Sequence, residues 1–124
     1  MNILAPISVG ELIDKITILE IKQLNVRTQQ QRDNVAHELE LLNKILNTVL
    51  LDVEIDALRE QLRLVNQALW YIEDFKRECE ATKNFGPAFI DAARQVYIKN
   101  DQRAAIKRSI NELCGSDIIE EKIY

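Results

Sequence analysis

The stretch from Ile55 to Cys79, IDALREQLRLVNQALWYIEDFKREC, decides the fold. Ile55, Leu58, Leu62, Val65, Leu69, Ile72 and Cys79 alternate three and four apart, with one interruption at Lys76. That spacing is the seam of a helix packed along its length against other helices. Asp52 stands where a cap would start it, which gives a helix over residues 53–81. At 1.5 Å per residue this helix is about 43 Å long. A compact chain of 124 residues has a radius of gyration of roughly 14 Å and spans about 35 Å. The helix outruns its own domain, and a homo-oligomer, most simply a dimer sharing part of the seam, follows as an expectation.

The flanking sequence is helical too. Ser8 followed by Glu11 has the spacing of a capping box, and Ile7 with Leu12 that of a hydrophobic staple, so a helix begins near Val9. Its apolar stripe is Leu12, Ile16, Leu19 and Val26, and the next is Val35, Leu39, Leu42, Leu46 and Val49. Nine residues separate Val26 from Val35, about half a turn out of phase at 100° per residue, so two helices are expected, over 9–26 and 29–50. Thr28 with Gln31 supplies a second capping box at the break. Asn84, Gly86 and Pro87 mark the next turn. Beyond it, Phe89, Ala93, Val96 and Tyr97 are out of phase with Ile106, Ile110 and Leu113, which predicts a kink or break at Asn100–Asp101 with Asp101 as a fresh cap. Gly115 stops the last helix. The apolar end, Ile118, Ile119, Ile123 and Tyr124, is expected to dock, with a short strand pair beside Ile3–Ile7 as one arrangement. The expected architecture is an all-α bundle of four to five helices with a long central helix, in one domain over 1–124.

Composition narrows the function classes. Three glycines and two prolines are too few for the turns of a strand-rich fold, and 47% apolar with 29% charged residues is ordinary for a globular chain. A net charge of -4 gives no reason for attraction to nucleic acid or anionic lipid. No apolar run approaches the ~20 residues of a membrane span, and the first ten residues lack the basic flank of a signal peptide. Cys79 and Cys114 read as isolated thiols in a reducing cytoplasm, and His37 has no companion ligands for a metal. No cofactor is implied and no residue stands out as catalytic.

Three blocks carry a family resemblance: PISVGELIDKITILEIK over 6–22, LWYIED over 69–74, and Tyr97 with Asn100, Asp101, Arg103, Ala104, Ile106, Lys107 and Arg108. With the ending at Gly115–Ser116 and Glu120, Glu121, Lys122 and Tyr124, they resemble a small family of uncharacterised bacterial and phage-associated proteins. The resemblance covers nearly the whole chain, is weakest near Arg27–Arg32, and implies a self-contained domain of unknown function.

Two residue groups are candidates for recognition. Arg103 and Lys107 are i, i+4 neighbours near the expected helix start at Asp101, where a phosphate or carboxylate could meet both side chains and backbone N–H groups. With Trp70 and Arg94 they form a candidate ligand-binding set for an anionic small molecule. Asn66, Trp70, Glu73 and Arg77 follow at spacings of 4, 3 and 4 as a second stripe on the long helix, a candidate interface in which Glu73 and Arg77 would pair. Glu11 and Asp14 are spaced like the magnesium-binding acids of all-α nucleotide pyrophosphatases, but no second such pair lies downstream. A chorismate-type helical mutase would need converging cations, and no spacing selects Arg27, Arg59, Arg63 or Lys44.

Overall fold

Ser8 accepts a hydrogen bond from the Glu11 amide at 3.1 Å and opens the first helix, α1 (Val9–Gln23). The computed structural model describes residues 1–49, 51 and 53–124, and α2 (Gln29–Thr48), α3 (Asp56–Thr82) and α4 (Pro87–Cys114) follow. The described residues are all-helical. Thr28 caps α2 by accepting from the Gln31 amide at 3.1 Å, while the Gln31 side chain accepts from the Arg27 amide at 2.9 Å. The two helices are separate, as the phase argument requires, but α1 ends at Gln23 rather than at the expected Val26. The expected end of α2 at Leu50 and the expected cap at Asp52 lie outside the described residues. α3 starts at Asp56, whose carboxylate sits in the positively polarised first turn.

α4 corrects the expectation of a fresh helix start at Asn100–Asp101, because it runs without a break through its 28 residues. Its apolar stripe changes phase as its neighbours change: Ile106, Ile110 and Cys114 join the cluster with Ile13 of α1, whereas Val96 and Tyr97 line the cleft beside the returning segment. Asp101 caps nothing; its carboxylate lies 3.3 Å from Lys122 Nζ. The terminal strand pair is a second correction, since neither end of the chain contains a strand among the described residues. Residues 1–7 are exposed, and the chain after Gly115 runs back along α4, held by the charges of Glu120 and Lys122. Gly115 makes this reversal at φ +69°, with the Ser116 amide donating to the Asn111 carbonyl at 2.9 Å.

α3 and α4 form an antiparallel hairpin joined by residues 83–86, with Lys83 in the left-handed conformation that closes α3. At 27 and 28 residues they are nearly matched, so the long seam of α3 is covered largely from within the chain. The short α1 is the helix that meets all three others. It crosses the base of the hairpin, with Gly10 on Asn111 at one end and Glu20 3.0 Å from Arg59 at the other. Leu12, Ile16 and Leu19 pack with Leu39 of α2, while Ile13 packs with Ile55, Leu62 and Ile110. Leu46 touches both clusters.

α1 sits this close to α4 because residue 10 is glycine. The Gly10 amide donates to Asn111 Oδ1 at 2.7 Å, and a Cβ there would lie 2.6 Å from the Lys107 carbonyl oxygen. The first-turn amides are all satisfied: Val9 donates to Ser116 Oγ, Gly10 to Asn111, Glu11 to the Ser8 hydroxyl and Leu12 to the Ser8 carbonyl. Gly10→Ala should therefore destabilise the protein by about 2 kcal/mol despite alanine's better helix propensity, because a helix backbone must move. Urea titration should show a lower midpoint with an unchanged slope.

Candidate functional site

The Asp14 carboxylate is 1% exposed, on a helix whose other faces are mostly apolar. A charge buried there must be fully partnered. Arg103 of α4 grips it with two parallel bonds, Nε to Oδ1 at 2.9 Å and Nη2 to Oδ2. Asn66 of α3 donates to Asp14 Oδ1 and to Thr17 Oγ1, both at 2.9 Å, and Thr17 donates to the Asp14 carbonyl at 2.8 Å. One carboxylate thus ties three helices together. Its hydrogen bonds hold the Arg103 guanidinium above its ordinary pKa, against the opposing effect of burial.

One turn away, Lys107 makes a second junction. Its ammonium lies 2.6 Å from Glu11 Oε2 and 2.8 Å from Glu120 Oε2, with the side chain 7% exposed. Glu11 thus serves α4 rather than closing the expected capping box, of which only the Ser8 half is made. Burial pulls the Lys107 pKa down, but the bonds to Glu11 and Glu120 outweigh it and leave it above the 10.5 of an unperturbed lysine. Beside it, a cleft of about 580 Å³ opens between α4 and the returning segment, lined by Tyr97, Asp101, Arg103, Lys107, Glu120 and Lys122 among others. That volume is in the range of small-ligand sites. A hollow of about 340 Å³ lies on the other side of Arg103, walled by Ile18, Asn66, Trp70, Glu73 and Arg77.

The candidate ligand-binding set is divided between these places. Arg103 and Lys107 share the cleft; Trp70 shares the hollow with Arg103; Arg94 is exposed and lines neither. Because α4 is continuous, no helix N-terminus supplies amides beside Arg103, which removes that part of the expected anion site. Of the candidate interface stripe, Asn66 is buried against α1, and Glu73 pairs with Lys76 at 3.4 Å rather than with Arg77. The four cations weighed for a mutase do not converge: Arg59 pairs with Glu20, Arg63 with Glu60 and Lys44 with Glu40, while Arg27 is exposed. Sequence reasoning missed Asp14, Glu11, Glu120 and Lys122 as partners. One usable signal exists, in that acids three apart on α1 oppose cations four apart on α4 in reverse order.

Such features define an all-helical protein built on a three-helix junction, with a charged cleft on one flank. The chain belongs to the family of unknown function DUF6165, which it matches over residues 3–124. No curated protein and no solved structure matches it. Among the described residues, no group of three or more His, Cys, Asp or Glu is placed to hold a metal, and no helix is long and apolar enough to cross a membrane.

Asp14→Asn removes the buried charge and leaves Arg103 without its partner. The loss should be about 3 kcal/mol, at the lower end for a buried pair because Arg103 retains some exposure; thermal or urea unfolding measures it. Lys107 adds a pH signature. A raised lysine pKa contributes stability that is complete below about 10.5 and is lost as the pH rises through the folded-state value. The melting temperature should fall along that alkaline limb, and Lys107→Met should make the fall shallower.

Proposed function

We propose that the protein is a homo-oligomeric helical interaction module, most simply a dimer, acting as a scaffold or adaptor. Its 124 residues act in this reading as one domain. The observation that carries it is the outer half of the hairpin. Beyond Asn66 and Arg103, α3 and α4 continue as a two-helix arm whose buried side chains are those of Cys79 and Ala92. The arm leaves Tyr71, Phe75, Phe85, Ile90 and Tyr97 exposed, Tyr71 by 66%. Leu64, Tyr71 and Phe75 follow at spacings of seven and four, an exposed second seam with no helix against it among the described residues. Two helices alone bury little; two such arms packed together would make a four-helix arrangement.

A second copy fits this surface because its charges are mixed and self-complementary. Asp74 and Arg77 on α3, and Asp91 and Arg94 on α4, are exposed and form no ion pair within the chain among the described residues. A two-fold axis sets each patch against its own copy, where a rim of one sign would repel itself. Arg77 and Arg94 take part in this reading, whereas the buried Asn66 does not. Cys79 and Cys114, in no disulfide, fit a cytoplasmic setting.

Light scattering at micromolar concentration should give twice the monomer mass. Tyr71→Lys/Phe75→Lys should give the monomer mass with unchanged helical circular dichroism. A monomeric wild type across the accessible concentrations would sink the reading.

A further inference from the structure

We infer that the cleft between α4 and residues 116–124 is a binding site for an extended peptide carrying a carboxylate and, two residues later, a cationic side chain, and that Glu120 and Lys122 occupy it as internal stand-ins. The site has two fixed poles on α4. The cationic pole is Lys107, nearly buried and already sharing one carboxylate with rigid α1 through Glu11. The anionic pole is Asp101. Glu120 and Lys122, two residues apart in a segment with no helix or strand, satisfy one pole each at 2.8 and 3.3 Å.

Little else holds that segment down. No residue from 117 to 124 is buried: Ile119 is 59% and Ile123 89% exposed, and Ile118, the most covered of the apolar ones, still 39%. At its root Ser116 accepts from the Val9 amide at 3.2 Å and donates its own amide to the Asn111 carbonyl at 2.9 Å. The segment therefore sits on charge rather than on buried apolar surface, and a competing pair of charges can replace it. The cleft of about 580 Å³ beside it leaves room for such a ligand, with Val96 and Tyr97 as apolar wall.

Charge and spacing narrow the class. A single carboxylate replaces Glu120 like for like, whereas a phosphate dianion would face Glu11, Asp101 and Glu121 in the same cleft. Lys107 and Asp101 are six residues apart on α4, about 9 Å along its axis. Residues two apart in an extended peptide are separated by roughly 7 Å, and their side chains make up the difference. A free α-amino acid, with both charges around one carbon, cannot reach both poles.

The test uses the full chain and a fluorescently labelled peptide of residues 117–124, DIIEEKIY, followed by anisotropy. Tyr71 and Phe75 lie outside the lining of the cleft, so Tyr71→Lys/Phe75→Lys should leave peptide binding unchanged. Glu120→Gln/Lys122→Gln in the protein weakens the internal occupant and should tighten peptide binding roughly tenfold over wild type, from the loss of two partly exposed ion pairs. The Glu120 side chain is 60% and that of Lys122 34% exposed, and unchanged helical circular dichroism verifies the fold. A peptide with glutamine at the positions of Glu120 and Lys122 should not bind. Adding Asp101→Asn to the double variant should abolish the preference for lysine and keep that for glutamate. Equal binding of charged and glutamine peptides, or no binding to the double variant at millimolar peptide, would overturn the proposal. So would equimolar free glutamate and lysine competing as well as the peptide does.

Discussion

Asp14 is the constraint on which the rest of the structure depends. A carboxylate withdrawn from water must be met from every side, and here the donors come from two other helices, Arg103 on α4 and Asn66 on α3. Those partners fix how far along the hairpin α1 lies and which way it faces. An apolar contact tolerates a shift of a fraction of a turn; a two-pronged guanidinium bond does not. Gly10 then sets the distance, since only a residue without a side chain lets α1 approach the α4 backbone so closely. Angle, register and separation at the junction thus trace to three side chains and one missing side chain.

From this junction outward the structure becomes progressively less buried. At its centre lie Ile13, Ile16, Leu62 and Ile110 with Asp14 and Thr17. On one flank α2 joins through α1, with Leu39 as its buried residue. On another, the chain past Gly115 is held by Glu120 and Lys122. Along the hairpin, the arm carries exposed aromatic rings. The regions with recognition potential are those the junction does not reach, which agrees with a rigid centre supporting adaptable surfaces.

Much of the fold was legible because helix signals are local. Ser8 and Thr28 both cap as their spacing predicts, and the half-turn mismatch between Val26 and Val35 separates α1 from α2. At Asn100–Asp101 the same phase argument allowed a break that α4 does not make. A change of apolar phase shows that the neighbours change, and a helix can meet new neighbours without breaking. The long helix was legible as an element, whereas its packing on α4 was not, because a seam cannot say which helix covers it. The site was the least legible part. Arg103 and Lys107 could be singled out as cations, but their partners lie 89 and 96 residues away in sequence, and nothing local selects Asp14, Glu11 or Glu120 for them. Glu11 even carried a plausible local role that its side chain does not perform.

The joining of α1 to α4 also orders the events of folding. Hairpin contacts close across a four-residue connection, while the Gly10–Asn111 bond closes a separation of 101 residues. Short closures cost less chain entropy and come first. Asp14 cannot be desolvated until Arg103 and Asn66 stand side by side to receive it, and that arrangement exists only once α3 and α4 have paired. α1, with α2 packed on it, is therefore placed after the hairpin, and its docking turns a loose pair of helices into a fold with a centre.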